Sequence, residues 1–212
     1  MELEQYIQSV FIGKDALDDH AKITKAIEDR GMPTISVAPE TGKLLTLLVK
    51  MTGAKKLLEI GALGGYSGIC LLRGTGKAGH LTSLELVESY ADAAREHVHQ
   101  AGFNNQVSYK IGPALASLQA LVSEKECYDF FFIDADKDNY VNYLDLCIQL
   151  ANSGAIICGD NTLWDMQVLD SKFQDTNTKG IRSFNEAISS HPRLESILIP
   201  IGDGLTIARL TD

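Results

Sequence analysis

No apolar run in this 212-residue chain approaches the roughly 20 residues needed to cross a bilayer. The opening stretch, MELEQYIQSVFIGKD, lacks the basic-then-apolar order of a secretory leader. Both absences lead to the expectation of a cytoplasmic protein. Cysteine pairing signals are missing as well. Cys70, Cys127, Cys147 and Cys158 stand apart in apolar stretches with no C-x-x-C pair, so they read as small buried hydrophobes, not disulfides or zinc ligands. The histidines form no metal cluster, since His97 and His99 are two apart on an expected helix and point in different directions. Positive charge is also scarce. Nineteen Lys and Arg against 28 Asp and Glu leave a net charge of -9, which counts against a nucleic-acid partner while leaving room for a local basic patch.

What is present reads as one globular domain over 1–212, with no repeat, low-complexity run or linker; 45% of its residues are apolar and 22% charged. Residues 15–30 and 39–52 carry helical spacing, the second opened by Pro39 and closed by Gly53. Short apolar runs then follow: KLLEIG, LTSLE, QVSYKIG, YDFFFIDA and GAIICGD. They alternate with stretches of helical period such as VESYADAAREHVHQAG and KDNYVNYLDLCIQLANSG. That alternation predicts an α/β fold, a mostly parallel sheet with helices on both faces. Near the end, a polar stretch (165–180) precedes a helix-like IRSFNEAISSHP. LESILIP and GLTIARL, joined at IGDG, then predict an antiparallel C-terminal hairpin.

The first strand runs into EIGALGGYSG, where glycines let a backbone turn tightly and approach a ligand. Their order, G-x-x-G-G-x-x-G, fits the dinucleotide fingerprint G-x-G-x-x-G poorly, which weakens a nicotinamide oxidoreductase reading. Two acids narrow the choice. Glu59 before the first glycine would repel a pyrophosphate, whereas Glu85 ends the second strand, where such folds hold ribose hydroxyls. A positively charged adenosine such as S-adenosylmethionine suits both. The bland alternative is a packing turn with a solvated acid.

FFFIDADKDNY spaces Asp134, Asp136, Asp138 and Asp145 like an EF-hand loop, but Asn139 stands where that loop needs glycine and a strand precedes it. A strand-end reading does better. Asp134 closes the fourth strand and Asp160-Asn161 the fifth, bringing hard oxygen ligands for Mg²⁺ or a similar cation to one sheet edge. The alternative is that these acids cap helices. Lys137, three residues after Asp134, would reach the same place as a base.

EIGALGGYS, SLE, IGPAL, FIDADKDNY, DNTLW and PIGDGLTIAR together resemble the cation-dependent class I O-methyltransferases of caffeoyl-CoA O-methyltransferase type, with catechol O-methyltransferase a more distant relative. The resemblance implies a seven-stranded Rossmann-like sheet with an antiparallel seventh strand, a homodimer, and an N-terminal helical segment (1–38) that shapes the acceptor site and the dimer. It implies a methyl-donor site at Val37, Glu59, Gly61, Ala62 and Ser67, with Glu85 on the ribose and Ala114 beside the adenine. Asp134, Asp160 and Asn161 would hold Mg²⁺, Mn²⁺ or Ca²⁺, with Asp134 touching the donor too. Lys137 would be base or electrostatic stabiliser, and Asp136 would lie near the acceptor. The implied reaction is methyl transfer from S-adenosylmethionine to a catechol-type phenolic hydroxyl. Two other functions share these features: a tRNA hydroxyuridine O-methyltransferase and a non-catalytic adenosyl-ligand sensor. The N-terminal segment, shorter than in the plant enzymes, and the loop Trp164 to Gly180 depart from the plant pattern in regions that shape the acceptor site.

Overall fold

The computed structural model describes residues 3–211. In chain order the elements are α1 (Leu3–Phe11), α2 (Lys14–Asp29), α3 (Pro39–Thr52), β1 (Lys56–Ile60), α4 (Tyr66–Thr75), β2 (His80–Glu85), α5 (Glu88–Gln100) and β3 (Val107–Ile111). They continue with α6 (Ala114–Ser123), β4 (Tyr128–Ile133), α7 (Tyr140–Leu150), β5 (Ala151–Asp160), α8 (Thr176–Ser190), β6 (Leu194–Ile199) and β7 (Leu205–Leu210).

The seven strands form one sheet in the order β3-β2-β1-β4-β5-β7-β6. The first five strands run parallel, and β7 lies antiparallel between β5 and β6. Period-two alternation divides the core. Leu57, Phe130, Phe132 and Cys158 pack on one face with Ile27 of α2, Leu45 of α3, Ile69 of α4 and Val98 of α5. Leu58, Phe131, Ile133 and Ile157 pack on the other with Leu118 of α6, Leu144 of α7 and Phe184 of α8. The three β4 phenylalanines are fully buried. Each contributes roughly 1.5–3 kcal/mol through its buried surface.

Local signals hold where caps are strong. Pro39 opens α3, and left-handed Gly53 closes it, its N–H donating to Val49 O at 3.1 Å. Two boundaries differ from the sequence expectation. Helix α7 stops at Leu150, and ANSG joins β5, whose pairing with β4 shifts register between Tyr128 and Phe130. Helix α8 begins inside the polar stretch, because Asp175 caps it by accepting from the Thr178 N–H at 3.0 Å. No helix among the described residues is long and apolar enough to cross a membrane.

Candidate active site

Strand order reverses between β1 and β4, and an open parallel sheet leaves its ligand crevice at such a point. A cavity of about 920 Å³ lies there. Register explains what meets at its floor: Ile60 pairs with Ile133 and Ile133 with Gly159, so Gly61, Asp134 and Asp160 follow side by side.

The glycine turn makes room first for protein. Gly61 has φ 97°, and a Cβ there would stand 2.0 Å from the Asp134 carbonyl oxygen. No other residue lets β1 and β4 end this close together. Gly65, at φ 82°, turns into α4 with its Cα 's missing substituent aimed at the Ala94 backbone.

Glu59 differs from its expected place. It is buried beneath the turn, with its carboxylate accepting from Ser67 Oγ at 2.5 Å and Ser83 Oγ at 2.6 Å, and it does not line the cavity. Burial pushes its carboxyl up to about 7, against the two serine hydroxyls and with help from the charges of Asp134 and Glu85. It braces the turn from below. Glu85 does face the cavity, and its carboxylate also accepts from the N–H groups of Leu63 (2.9 Å), Ala62 (3.1 Å) and Val87 (3.0 Å). One side chain thereby fastens the glycine turn to the end of β2. Val37, Gly61, Ala62, Ser67 and Ala114 line the same cavity. His97, which offered no metal signal, lies buried with a ring nitrogen 2.8 Å from Gly64 O.

At the other end Asp134, Lys137 and Asn161 line the wall, and Asp160 lies behind it, 4% exposed. The Lys137 ammonium donates to Asn161 Oδ1 (2.7 Å), Tyr140 OH (2.7 Å) and Asp134 Oδ1 (3.1 Å). Burial and the Asp134 charge push Asp160 up to about 7, opposed by the Asn161 N–H and by Lys137. Asn161 takes its position through a left-handed backbone, φ 56°. Among the described residues no three His, Cys, Asp or Glu side chains gather as a metal cage. The oxygens assigned to a cation are two carboxylates and one amide. Two of those groups already complement the Lys137 ammonium, and the third is a buried acid in want of positive charge, so the set fits a hard divalent ion.

Asp136 is exposed at the cavity mouth and accepts from Asn139 and Tyr143. Beside it the Trp164 ring lies 5.8 Å from Lys137 Nζ. Trp164, Asp165 and Met166 are all left-handed, a costly turn. Asp203 Oδ1 holds it by accepting from the Asp165 N–H at 2.7 Å, and Arg182 fastens the arm that follows by donating to the carbonyls of Gln167, Val168, Asp170 and Phe173. Sequence reading missed Ser83, Tyr140 and Arg182, whose partners lie far along the chain or in backbone.

The chain as a whole is similar to known proteins. Residues 13–211 match a family model described as O-methyltransferase. A catechol O-methyltransferase of Niastella koreensis is 36% identical over 191 residues, which cover 87% of this chain and 86% of that protein. Caffeoyl-CoA O-methyltransferase 1 of Arabidopsis thaliana is 28% identical over 98% of this chain and 84% of its own length. The crystal structure of an O-methyltransferase from Bacillus cereus in complex with SAH superposes with a TM-score of 0.91 at 37% identity, covering 99% of this chain and 97% of that one. The reversed strand order, the glycine turn and the acid–lysine–amide cluster thus sit in a chain that belongs to the O-methyltransferase family, of the catechol and caffeoyl-CoA type.

Proposed function

We propose that this enzyme moves the methyl group of S-adenosylmethionine to a hydroxyl of an aromatic vicinal diol, with a divalent cation held by Asp134, Asp160 and Asn161. The observation that carries the reading is that one cavity has Glu85 at one end and Asp134, Lys137 and Asn161 at the other. The SAH complex of the Bacillus cereus relative and the catechol activity in the name of the Niastella koreensis relative support it.

In this reading Glu85 accepts from the ribose hydroxyls, and Val37, Gly61, Ala62, Ser67 and Ala114 enclose the rest of the donor. Glu59 sets the turn's shape from below. A divalent cation held by Asp134, Asp160 and Asn161 would supply Lewis acidity that lowers the pKa of a diol hydroxyl. Lys137 shares the oxygens of Asp134 and Asn161 with that site and adds positive charge beside the nucleophilic oxygen. Its donors all have acceptors, an arrangement that suits electrostatic support better than proton abstraction. Trp164 walls the ring, and attack on the methyl carbon needs the oxygen about 3 Å away and in line.

Residues Pro33, Ile35 and Ser36 also line the cavity, which supports an acceptor-shaping role for the N-terminal segment. A homodimer belongs to the same reading, and the exposed Leu3, Tyr6, Val10 and Phe11 of α1 offer it an apolar face. Among the described residues that line the cavity Lys137 alone is cationic, and together with the net charge of -9 this speaks against a tRNA acceptor. The test is labelled methyl transfer to a catechol and to its mono-hydroxy analogue at saturating donor and Mg²⁺. Turnover of the diol with little of the phenol supports the proposal; equal rates refute activation by chelation.

A further inference from the structure

The glycine turn contains a strained residue that is not glycine. Leu63 has φ 45°, a left-handed backbone that a branched side chain adopts only where its surroundings enforce it. Before it, Glu85 takes the N–H groups of Ala62 and Leu63. After it, the Gly64 carbonyl lies 2.8 Å from His97 Nδ1, on a side chain 33 residues away that is 6% exposed. A carbonyl oxygen only accepts, so this ring nitrogen carries the proton and donates.

His97 lies in the last turn of α5, three residues after Ala94 and on the same helix face. Ala94 packs under the next residue of the turn: a Cβ at Gly65 would stand 3.0 Å from Ala94 Cα. From α2, Ile27 presses on Gly64, where a Cβ would stand 2.6 Å from Ile27 Cγ2. These apolar contacts fix distance; the His97 bond fixes direction. Leu63 and Gly64 line the cavity, and His97 does not. A turn held on both sides of its strained residue meets a ligand already shaped. Released at Gly64, it relaxes toward unstrained backbone when empty, and binding must re-form it at the expense of affinity.

We propose that His97 is a positioning residue for the methyl donor: its bond to Gly64 holds the strained turn in the shape that binds S-adenosylmethionine and SAH. This rests on the proposed donor site and adds to it a residue outside the cavity.

Two variants separate the bond from the bulk. His97→Asn sets an amide N–H where Nδ1 stands, whereas His97→Leu fills the space without a donor. By calorimetry, His97→Leu should bind S-adenosylmethionine and SAH about tenfold more weakly, because a buried carbonyl loses its partner, and His97→Asn should stay within about threefold of wild type. The loss should appear in the donor KM and not in the acceptor KM. Wild-type donor affinity in His97→Leu, or equal weakness in His97→Asn, overturns the proposal. So does a joint decline of donor affinity, acceptor KM and Tm in His97→Leu, which marks general loss of structure. Should His97→Leu fail to fold, nitrogen-15 NMR of the His97 ring in the wild type decides. A ligand that favours the held turn protects the bond that holds it, so SAH should slow solvent exchange of the Nδ1 proton. Unaltered exchange overturns the proposal. Failure of the wild type to bind either ligand overturns the donor reading itself and the role of His97 with it.

Discussion

Lys137 Nζ lies 2.7 Å from Asn161 Oδ1, so an ammonium from the turn after β4 and an amide from the turn after β5 share one hydrogen bond across the floor of the cavity. A divalent ion at that floor draws on the same amide oxygen. Replacing Lys137 by Ala should therefore leave metal affinity equal or higher, since it removes a competing cation. Methyl transfer should still fall by about 10²-fold or more, because charge beside the nucleophile is lost. Calorimetric titration of Mn²⁺ alongside kcat separates the two; weakened metal binding would show that Lys137 builds the ion site rather than sharing it.

Glu85 offers a second prediction. Its carboxylate serves three backbone N–H groups of the glycine turn and of the start of α5. Glu85→Ala strips those partners and the proposed ribose contact, and should weaken S-adenosylmethionine binding by roughly 1–3 kcal/mol. Unchanged affinity in the variant would take the donor away from β2.

Glu59 predicts a pH dependence of stability. Its carboxyl titrates at about 7 in the folded protein, against 4.5 for an ordinary glutamate. Between those values the folded chain keeps a proton that the unfolded chain has released, so this group's contribution falls as pH rises across that window and stays low above it. Glu59→Gln cannot titrate. Relative to wild type, it should gain up to roughly 3 kcal/mol between pH 4 and 8. Denaturant unfolding at both pH values checks this, and a constant difference would mean that Glu59 folds as an ordinary ionised acid.

Arg182 predicts a localised effect. Its four carbonyl bonds hold the arm from Gln167 to Phe173, which exposes Leu169 and Phe173. Arg182→Ala should speed proteolytic cleavage within that arm and raise the acceptor KM several-fold, with donor affinity unchanged. Uniform protection of the arm would mean that it stands without Arg182.

Much of the sheet was legible because its central strands bury both faces and end on glycine or acid. The pairing of Asp134 with Asp160 followed from that alone. What escaped was long-range or backbone-directed. Glu59 looked like a ligand-facing acid because sequence does not show Ser83, 24 residues away, closing over it. Gly61 and Gly65 also make room for the Asp134 carbonyl and for Ala94, a packing demand that no motif displays. Arg182 carries no motif, since its partners are carbonyls that every residue has. The start of α8 was recoverable: Asp175 three residues before Thr178 is a helix-opening pair hidden in polar sequence.

The central claim is that a divalent cation at Asp134, Asp160 and Asn161 activates a vicinal diol for methylation. The most direct measurement is labelled-methyl transfer to 3,4-dihydroxyphenylethanol by chelator-treated enzyme, with and without added Mg²⁺, and with Asp160→Ala in parallel. Transfer should vanish in chelator, return with Mg²⁺, and stay absent in the variant although the donor still binds. Full transfer in chelator, or in Asp160→Ala, would contradict the account.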